Sequence, residues 1–192
     1  MKLTTKLLIA ALSLNILTAC GPKGPSEEQI ASEEQAKVVY ETVKADHKKY
    51  TEWRNSANKA INSINNTIYA IRAEKDPNKV IEMYKNLAKE FSDVSTRLNE
   101  IQFSDARFNE LKTKGIEGFK TISELFLEST KYITTEIPNT TRVEMANRRN
   151  QAVNTINKEL GQMEDKVLKE INAEAKKYNE IRRENDKLRK GE

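Results

Sequence analysis

Cys20 carries the only thiol in this sequence. It closes a leader that has Lys2 and Lys6 near its start, an apolar run over residues 7–17 and small residues directly before the cysteine. A charged start, an apolar middle and a small residue before a cleavage point are typical of a secretory signal peptide. One cysteine cannot form a disulfide framework or a multi-cysteine metal site within the chain. The leader around Cys20 therefore indicates the role of its thiol.

The residues Leu17-Thr18-Ala19-Cys20 resemble the lipobox of bacterial lipoproteins. The resemblance implies that the chain is cut before Cys20 and that acyl chains such as palmitate on this residue anchor the mature protein. In a cell with two membranes, lipoproteins with aspartate after the cysteine stay at the inner membrane, so Gly21 favours the outer membrane and the periplasm. With a single membrane, the protein would stand on its outer face.

Two alternatives to a lipid anchor fit the leader less well. A transmembrane helix needs about 20 apolar residues, whereas the run here ends near Ala19 and contains Ser13, Asn15 and Thr18. A soluble secreted protein would have no need for a cysteine at the cleavage point. We therefore predict a signal peptide over residues 1–19 and a lipidated Cys20 with a flexible tether over residues 20–26.

Asparagines recur at helical spacing in two stretches that are far apart in the sequence. With 3-4-3 spacing, each stretch places its asparagines on one face of a predicted helix, and an antiparallel pairing of the two helices would set these faces side by side. Amides both donate and accept hydrogen bonds, so the faces could form a polar groove for a partner protein or polymer. Two ordinary solvated faces are the alternative. The residues are Asn55, Asn58, Asn62 and Asn65 in the first stretch, and Asn147, Asn150, Asn154 and Asn157 in the second.

No arrangement of residues points to catalysis or to a cofactor. The only histidine, His47, has no Glu-x-x-His partner for a di-iron site, and we interpret it as a packing or boundary residue. Trp53 is interpreted as a packing residue as well. Neither a nucleophile elbow, a phosphate loop nor a zinc helix motif occurs. We therefore expect a protein that is not an enzyme and needs neither metal nor cofactor.

The last helix ends in a cluster of basic residues. Headgroup attraction of about 1 kcal/mol per basic residue would hold such a cluster on anionic lipid, while a solvated helix end is the alternative. The residues with possible membrane contact are Arg182, Arg183, Lys187, Arg189 and Lys190.

The overall charge argues against nucleic acid as a partner. The 33 basic residues lose Lys2 and Lys6 with the leader, so 31 remain against 29 acidic residues. A near-neutral chain that is exported has neither the charge nor the location for nucleic-acid binding.

Apolar residues at alternating spacings of three and four predict four amphipathic helices, over about residues 27–72, 77–103, 105–136 and 142–190. Ser26 with Gln29 and Ser32 with Gln35 both have capping-box spacing, so the first helix starts at one of these two points. Thr141 with Glu144 forms another capping box, and Ser104 is the expected cap of the third helix. Gly115 and Gly118 lie within that helix, where we expect close packing rather than a kink.

The predicted fold class is all-α. Short connections favour an elongated antiparallel four-helix bundle over residues 27–192, in which the long first and last helices extend as a coiled-coil-like stalk of roughly 30 Å. We therefore expect a non-catalytic, lipid-anchored binding or spacer module that presents the head of the bundle to an envelope protein or polymer. A protective protein, acting as an immunity, inhibitor or surface-exclusion factor against a toxin, phage or hydrolase, is the alternative.

Overall fold

The protein is all-α, which confirms the predicted class. A computed structural model describes residues 24–134 and 138–192, without the side chains of residues 60 and 63–65. The signal peptide, Cys20 and the start of the tether therefore lie outside the described residues. Within the described ranges the chain forms four α-helices: α1 (Glu27–Ala73), α2 (Pro77–Glu100), α3 (Ala106–Thr130) and α4 (Asn139–Lys190).

The start of α1 has the capping box that the sequence predicts. The Ser26 hydroxyl accepts a hydrogen bond from the Gln29 backbone N–H at 3.3 Å, and the Ser26 N–H donates to Gln29 Oε1 at 2.8 Å. Two of the amides that a helix start leaves free are thereby satisfied. At the other end of the chain, Gly191 closes α4 with a positive φ of 73°, a conformation that suits glycine.

The turn between α2 and α3 differs from the prediction at both ends. Helix α2 ends at Glu100 rather than 103, because extended backbone after it brings Phe103 into the core, where its ring stacks on Phe108 at 5.6 Å. Asp105, not Ser104, is the N-cap of α3, since its carboxylate accepts from the Arg107 N–H.

The connection between α3 and α4 is longer on the α3 side than predicted. Helix α3 ends at Thr130 rather than 136, because the Ser129 and Thr130 hydroxyls donate to backbone carbonyls of the last turn and so compete with helix continuation. Helix α4 begins at Asn139, two residues before the predicted capping box at Thr141. The Pro138 carbonyl already accepts from the N–H of Thr141 at 3.0 Å.

All four helices contribute to one core that is rich in aromatic side chains. Phe91 of α2 stacks on Phe126 of α3 at 5.6 Å, and Trp53 of α1 meets Phe119 edge-on at 5.8 Å. The Trp53 indole N–H donates to the Val94 carbonyl at 3.2 Å, which satisfies its one polar atom. Trp53 is therefore a packing residue.

The glycines of α3 are contact points, as the sequence predicts. Helix α3 runs without interruption past both, and an added Cβ at Gly115 would come within 2.7 Å of Leu98 Cδ2. At Gly118 it would overlap Ile156 of α4. The neighbours that approach are side chains rather than backbone.

A buried carboxylate ties α1 to the turn between α2 and α3. Asp46 Oδ2 accepts from the backbone N–H groups of Ser104 at 2.6 Å and Asp105 at 2.8 Å. Its Oδ1 accepts from Lys49 Nζ at 2.9 Å, and the same ammonium donates to the Gln102 carbonyl. The turn is thus held from outside by α1.

The outer ends of α1 and α4 lie side by side in opposite directions. Asn185 is buried on α4, and its amide donates to the Gln29 carbonyl at 3.0 Å and to Glu33 Oε2 at 2.8 Å. About two turns of helix beyond Glu33 along α1, Tyr40 stacks on Tyr178 at 5.7 Å. A buried asparagine between two helices fixes their register, because any shift would leave its amide unpaired.

Candidate functional site

A cleft of about 400 Å³ lies between α1 and α4 near the end of the molecule where α3 connects to α4. Its floor is formed by aromatic residues of α2 and α3, and its sides are mostly aliphatic. The described residues that line it are Ile61, Ile68, Ile71, Arg72, Tyr84, Phe91, Phe126, Ala146, Arg149, Asn150, Val153 and Asn154. An apolar cleft with a few polar groups at its edge is the usual form of a ligand site.

Arg149 is the best positioned polar group of the cleft. Its guanidinium lies over the rings of Tyr84 at 5.3 Å and Phe126 at 5.8 Å, and it donates to the Ser129 hydroxyl. These contacts hold the guanidinium against the floor of the cleft. A smaller cavity of about 230 Å³ adjoins, which shares Ile71, Tyr84 and Arg149 with the cleft and adds Arg142.

The predicted asparagine groove maps onto the cleft only in part. Asn150 and Asn154 of the second stretch line it, whereas the residues that α1 contributes to the described lining are three isoleucines and Arg72. The remaining asparagines with described side chains, Asn55, Asn58, Asn62, Asn147 and Asn157, are exposed or half-buried and are not among the described lining residues. The side chain of Asn65 lies outside those described.

A second group of polar residues links α1 to α4 in the middle of the molecule. Glu164 Oε1 accepts from the Tyr50 hydroxyl at 2.6 Å and from Arg54 Nε at 2.8 Å. Burial, reinforced by the Glu164 carboxylate, raises the pKa of Tyr50, so this phenol stays protonated and donates. His47 is half-buried nearby, with its ring 6.3 Å from that of Phe108. The three side chains are joined through Glu164, although Arg54 Nη1 is buried without a hydrogen-bond partner among the described residues. The contacts suit a structural link between the helices.

The start of α3 carries a further ion-pair network. Arg107 contacts the carboxylates of Asp105 at 2.6 Å, Glu174 at 3.0 Å and Glu170 at 3.3 Å. The hydrogen bonds from Arg107 hold the pKa of Asp105 below its usual value. The carboxylates of Asp105 and Glu174 raise the pKa of Arg107. The network joins the α3 N-terminus to α4.

The basic tail of α4 is exposed, but part of it is engaged within the fold. Arg189 contacts Glu33 of α1 and Asp186 of its own helix, both at 2.8 Å, and Arg182 lies 3.8 Å from Asp186. The hydrogen bond from Asn185, followed by that from Arg189, lowers the pKa of Glu33. Arg183, Lys187 and Lys190 are exposed. Lipid contact by these residues stays a prediction.

The described residues contain neither a metal-ligand cluster nor a candidate membrane span. Within residues 24–134 and 138–192, no cluster of three or more histidine, cysteine, aspartate or glutamate side chains could hold a metal ion. Within the same ranges, no helix is long and apolar enough to cross a membrane.

Sequence reasoning missed the cleft and its arginines. A gap in the apolar stripe of α4 could have indicated Arg149, because Arg149 and Asn150 lie between the stripe residues Ala146 and Val153. An arginine inside an otherwise apolar stripe indicates a guanidinium that lies at the edge of the core.

A known protein family matches the larger part of the chain. The family model described as uncharacterised lipoprotein PM1805 matches residues 44–174, which is more than half of the 192 residues. The matched region holds the second half of α1, all of α2 and α3, and most of α4. Neither the curated proteins nor the solved structures contain a match to the chain.

Proposed function

Because the chain belongs to this lipoprotein family, we propose that it is a non-catalytic, lipid-anchored protein whose helical domain presents its membrane-distal end to another envelope protein or polymer. Membership of a lipoprotein family implies a lipid-anchored location in a bacterial envelope. The lipobox-like leader supports the same location independently, since residues 17–20 lie outside the matched region 44–174. In a cell with two membranes, Gly21 favours the outer one.

We propose that the domain is an elongated antiparallel four-helix bundle with a two-helix, coiled-coil-like stalk. The Asp46 contact to Ser104 and the Arg107 contact to Glu174 mark where the α2–α3 turn meets the long helices. Beyond that level α1 continues back to Glu27 and α4 continues to Lys190. At 1.5 Å per residue, these extensions are roughly 25 to 30 Å long.

One observation carries the proposal: the anchored end and the candidate site lie at opposite ends of α1. The salt bridge between Glu33 and Arg189 places the chain end of α4 beside the start of α1, next to the tether. Ile61, the first α1 residue in the cleft lining, lies about 50 Å along the helix from Glu27. A site so far from the membrane is suited to a partner in the surrounding compartment.

Lipid attachment is tested by metabolic labelling of the full-length protein with an alkyne analogue of palmitate. We expect label on the wild type and none on the Cys20→Ser variant, because the cysteine sulfur is the acceptor that the lipobox resemblance implies. Ser26→Ala is the control and should label like the wild type. Label on Cys20→Ser, or none on the wild type, would contradict the anchor.

Partner contact is tested by crosslinking in intact envelopes followed by mass spectrometry. We expect replacement of Asn58, Asn62, Asn150 and Asn154 by alanine to remove the crosslinked partner while helicity and melting temperature stay near wild type, because exposed amides contribute little to folding. The matched control replaces four asparagines that are exposed elsewhere, namely Asn86, Asn99, Asn172 and Asn179. Equal loss in both variants, or in neither, would remove the asparagine faces as the contact surface.

A further inference from the structure

The cleft between α1 and α4 combines apolar walls with arginines at its edge. We propose that it binds the acyl chain of a single-chain anionic amphiphile, a long-chain fatty carboxylate, with the carboxylate on Arg72 and Arg149. The proposal does not depend on a protein or polymer partner.

The walls of the cleft favour a hydrocarbon ligand. Ile61 and Ile68 of α1 face Val153 of α4 across a floor that includes Phe91 and Phe126. Apolar surface of this kind gains from contact with an apolar ligand in place of water. The volume of about 400 Å³ lies at the lower end of the range of about 300 to 1,000 Å³ for small-molecule sites, which suits one acyl chain better than the two chains of a phospholipid.

The edge of the cleft favours a negative head group. Arg72 and Arg149 are among the residues that line it, the adjoining cavity adds Arg142, and the described lining of both contains no aspartate or glutamate. In the part of the chain that the structure describes, Arg72 lies over the ring of Tyr69 at 6.0 Å, and no ion pair involves Arg72 or Arg149. The N–H groups of an arginine side chain can pair with both oxygens of a carboxylate. A carboxylate ligand would therefore supply the negative charge that the lining does not contain.

Arg149 is preorganised for this role. The rings of Tyr84 and Phe126 fix the plane of its guanidinium, and Ser129 is its hydrogen-bond partner among the described residues. A guanidinium has five N–H donors, so donors remain for a carboxylate. Because the group is already held, binding would cost little additional side-chain ordering.

The position of the cleft indicates that the occupant is a separate molecule. Acyl chains on Cys20 would start seven residues before α1, whereas the cleft begins about 50 Å along that helix. The bilayer that holds the anchor would lie at the same distant end. The ligand is therefore a free fatty carboxylate in the compartment around the domain.

The test uses full-length protein taken from the envelope and held in phosphatidylcholine nanodiscs. The probe is palmitate with a diazirine in its chain, and the second probe is hexadecanol with the same diazirine. After irradiation, mass spectrometry locates the labelled peptides. Val153→Phe fills the cleft, Arg72→Gln removes a charge on an exposed side chain, and Val38→Phe makes the same enlargement at an exposed position of the stalk.

We expect palmitate to label residues 61–72 and 146–154, and excess unlabelled palmitate to suppress that label. Label in these two segments should fall about tenfold in Val153→Phe, because the phenyl ring fills the cleft. It should be about tenfold lower with hexadecanol and several-fold lower in Arg72→Gln, because each of these changes removes a charge-assisted contact. Val38→Phe should label like the wild type. Label confined to other helices, or equal in Val153→Phe, would overturn the proposal. Should Val153→Phe fail to fold, equal labelling by palmitate and hexadecanol would overturn it.

Discussion

Replacing Asp46 with alanine should lower the free energy of unfolding by about 2 to 3 kcal/mol, as expected for loss of a buried charged hydrogen-bond acceptor. The Asp46 side chain is 1% exposed and accepts three hydrogen bonds, from the Ser104 and Asp105 amides and from Lys49. Alanine would leave the two amides without an acceptor at the start of α3. Urea unfolding followed by the helical circular dichroism signal measures the change.

Two further variants separate this contact from general effects of losing a carboxylate. Asp46→Asn keeps the shape but not the charge, and its amide nitrogen would face the Lys49 ammonium, so we expect roughly half of the alanine effect. Asp93→Ala removes an exposed carboxylate from α2 and should change stability by less than about 0.5 kcal/mol. An unfolding midpoint for Asp46→Ala equal to that of Asp93→Ala would show that the turn does not depend on this carboxylate.

Gly118→Ala should destabilise the protein by about 1 to 2 kcal/mol, since overpacking in a filled site typically costs about 1 to 3 kcal/mol. The same change stabilises a helix by up to about 1 kcal/mol through higher helix propensity. The expected net loss of stability therefore comes from the overlap with the neighbouring side chain. An added Cβ would overlap the Cδ1 and Cγ1 atoms of Ile156 and lie 3.1 Å from its Cβ. Rotation of the Ile156 side chain alone cannot clear a contact so close to its Cβ. Thermal and urea unfolding measure the effect.

The matched control is Gly161→Ala, where an added Cβ on α4 meets nothing within 4 Å. It should stabilise the protein by about 0.5 to 1 kcal/mol through helix propensity alone. A double-mutant cycle with Ile156→Ala adds a second test, because the cost of Gly118→Ala should shrink when the overlapping atoms are gone. Stabilisation by both glycine replacements would contradict close packing between α3 and α4 at Gly118.

The helices themselves could be predicted because the signals are local. The apolar stripe of α1 and the capping box of Ser26 and Gln29 are read from neighbouring residues, and the structure contains both. The wrongly predicted boundaries of the turn between α2 and α3 depend on contacts outside the helix ends themselves. Helix α2 ends at Glu100 because Phe103 packs in the core. The Ser104 N–H donates to the Asp46 carboxylate, which lies 58 residues earlier in the chain.

The sequence by itself determined the all-α class and the faces on which each helix is apolar, and it predicted the lipobox-like leader. Only the tertiary structure decided that Asn150 and Asn154 line a cleft to which the described side chains of α1 contribute isoleucines and Arg72. The reason is physical: periodicity reports which face of a helix is buried, because that depends on the spacing of residues along one chain segment. The rotation and separation of two helices depend on how all their side chains pack together, and a cleft exists only where that packing leaves space.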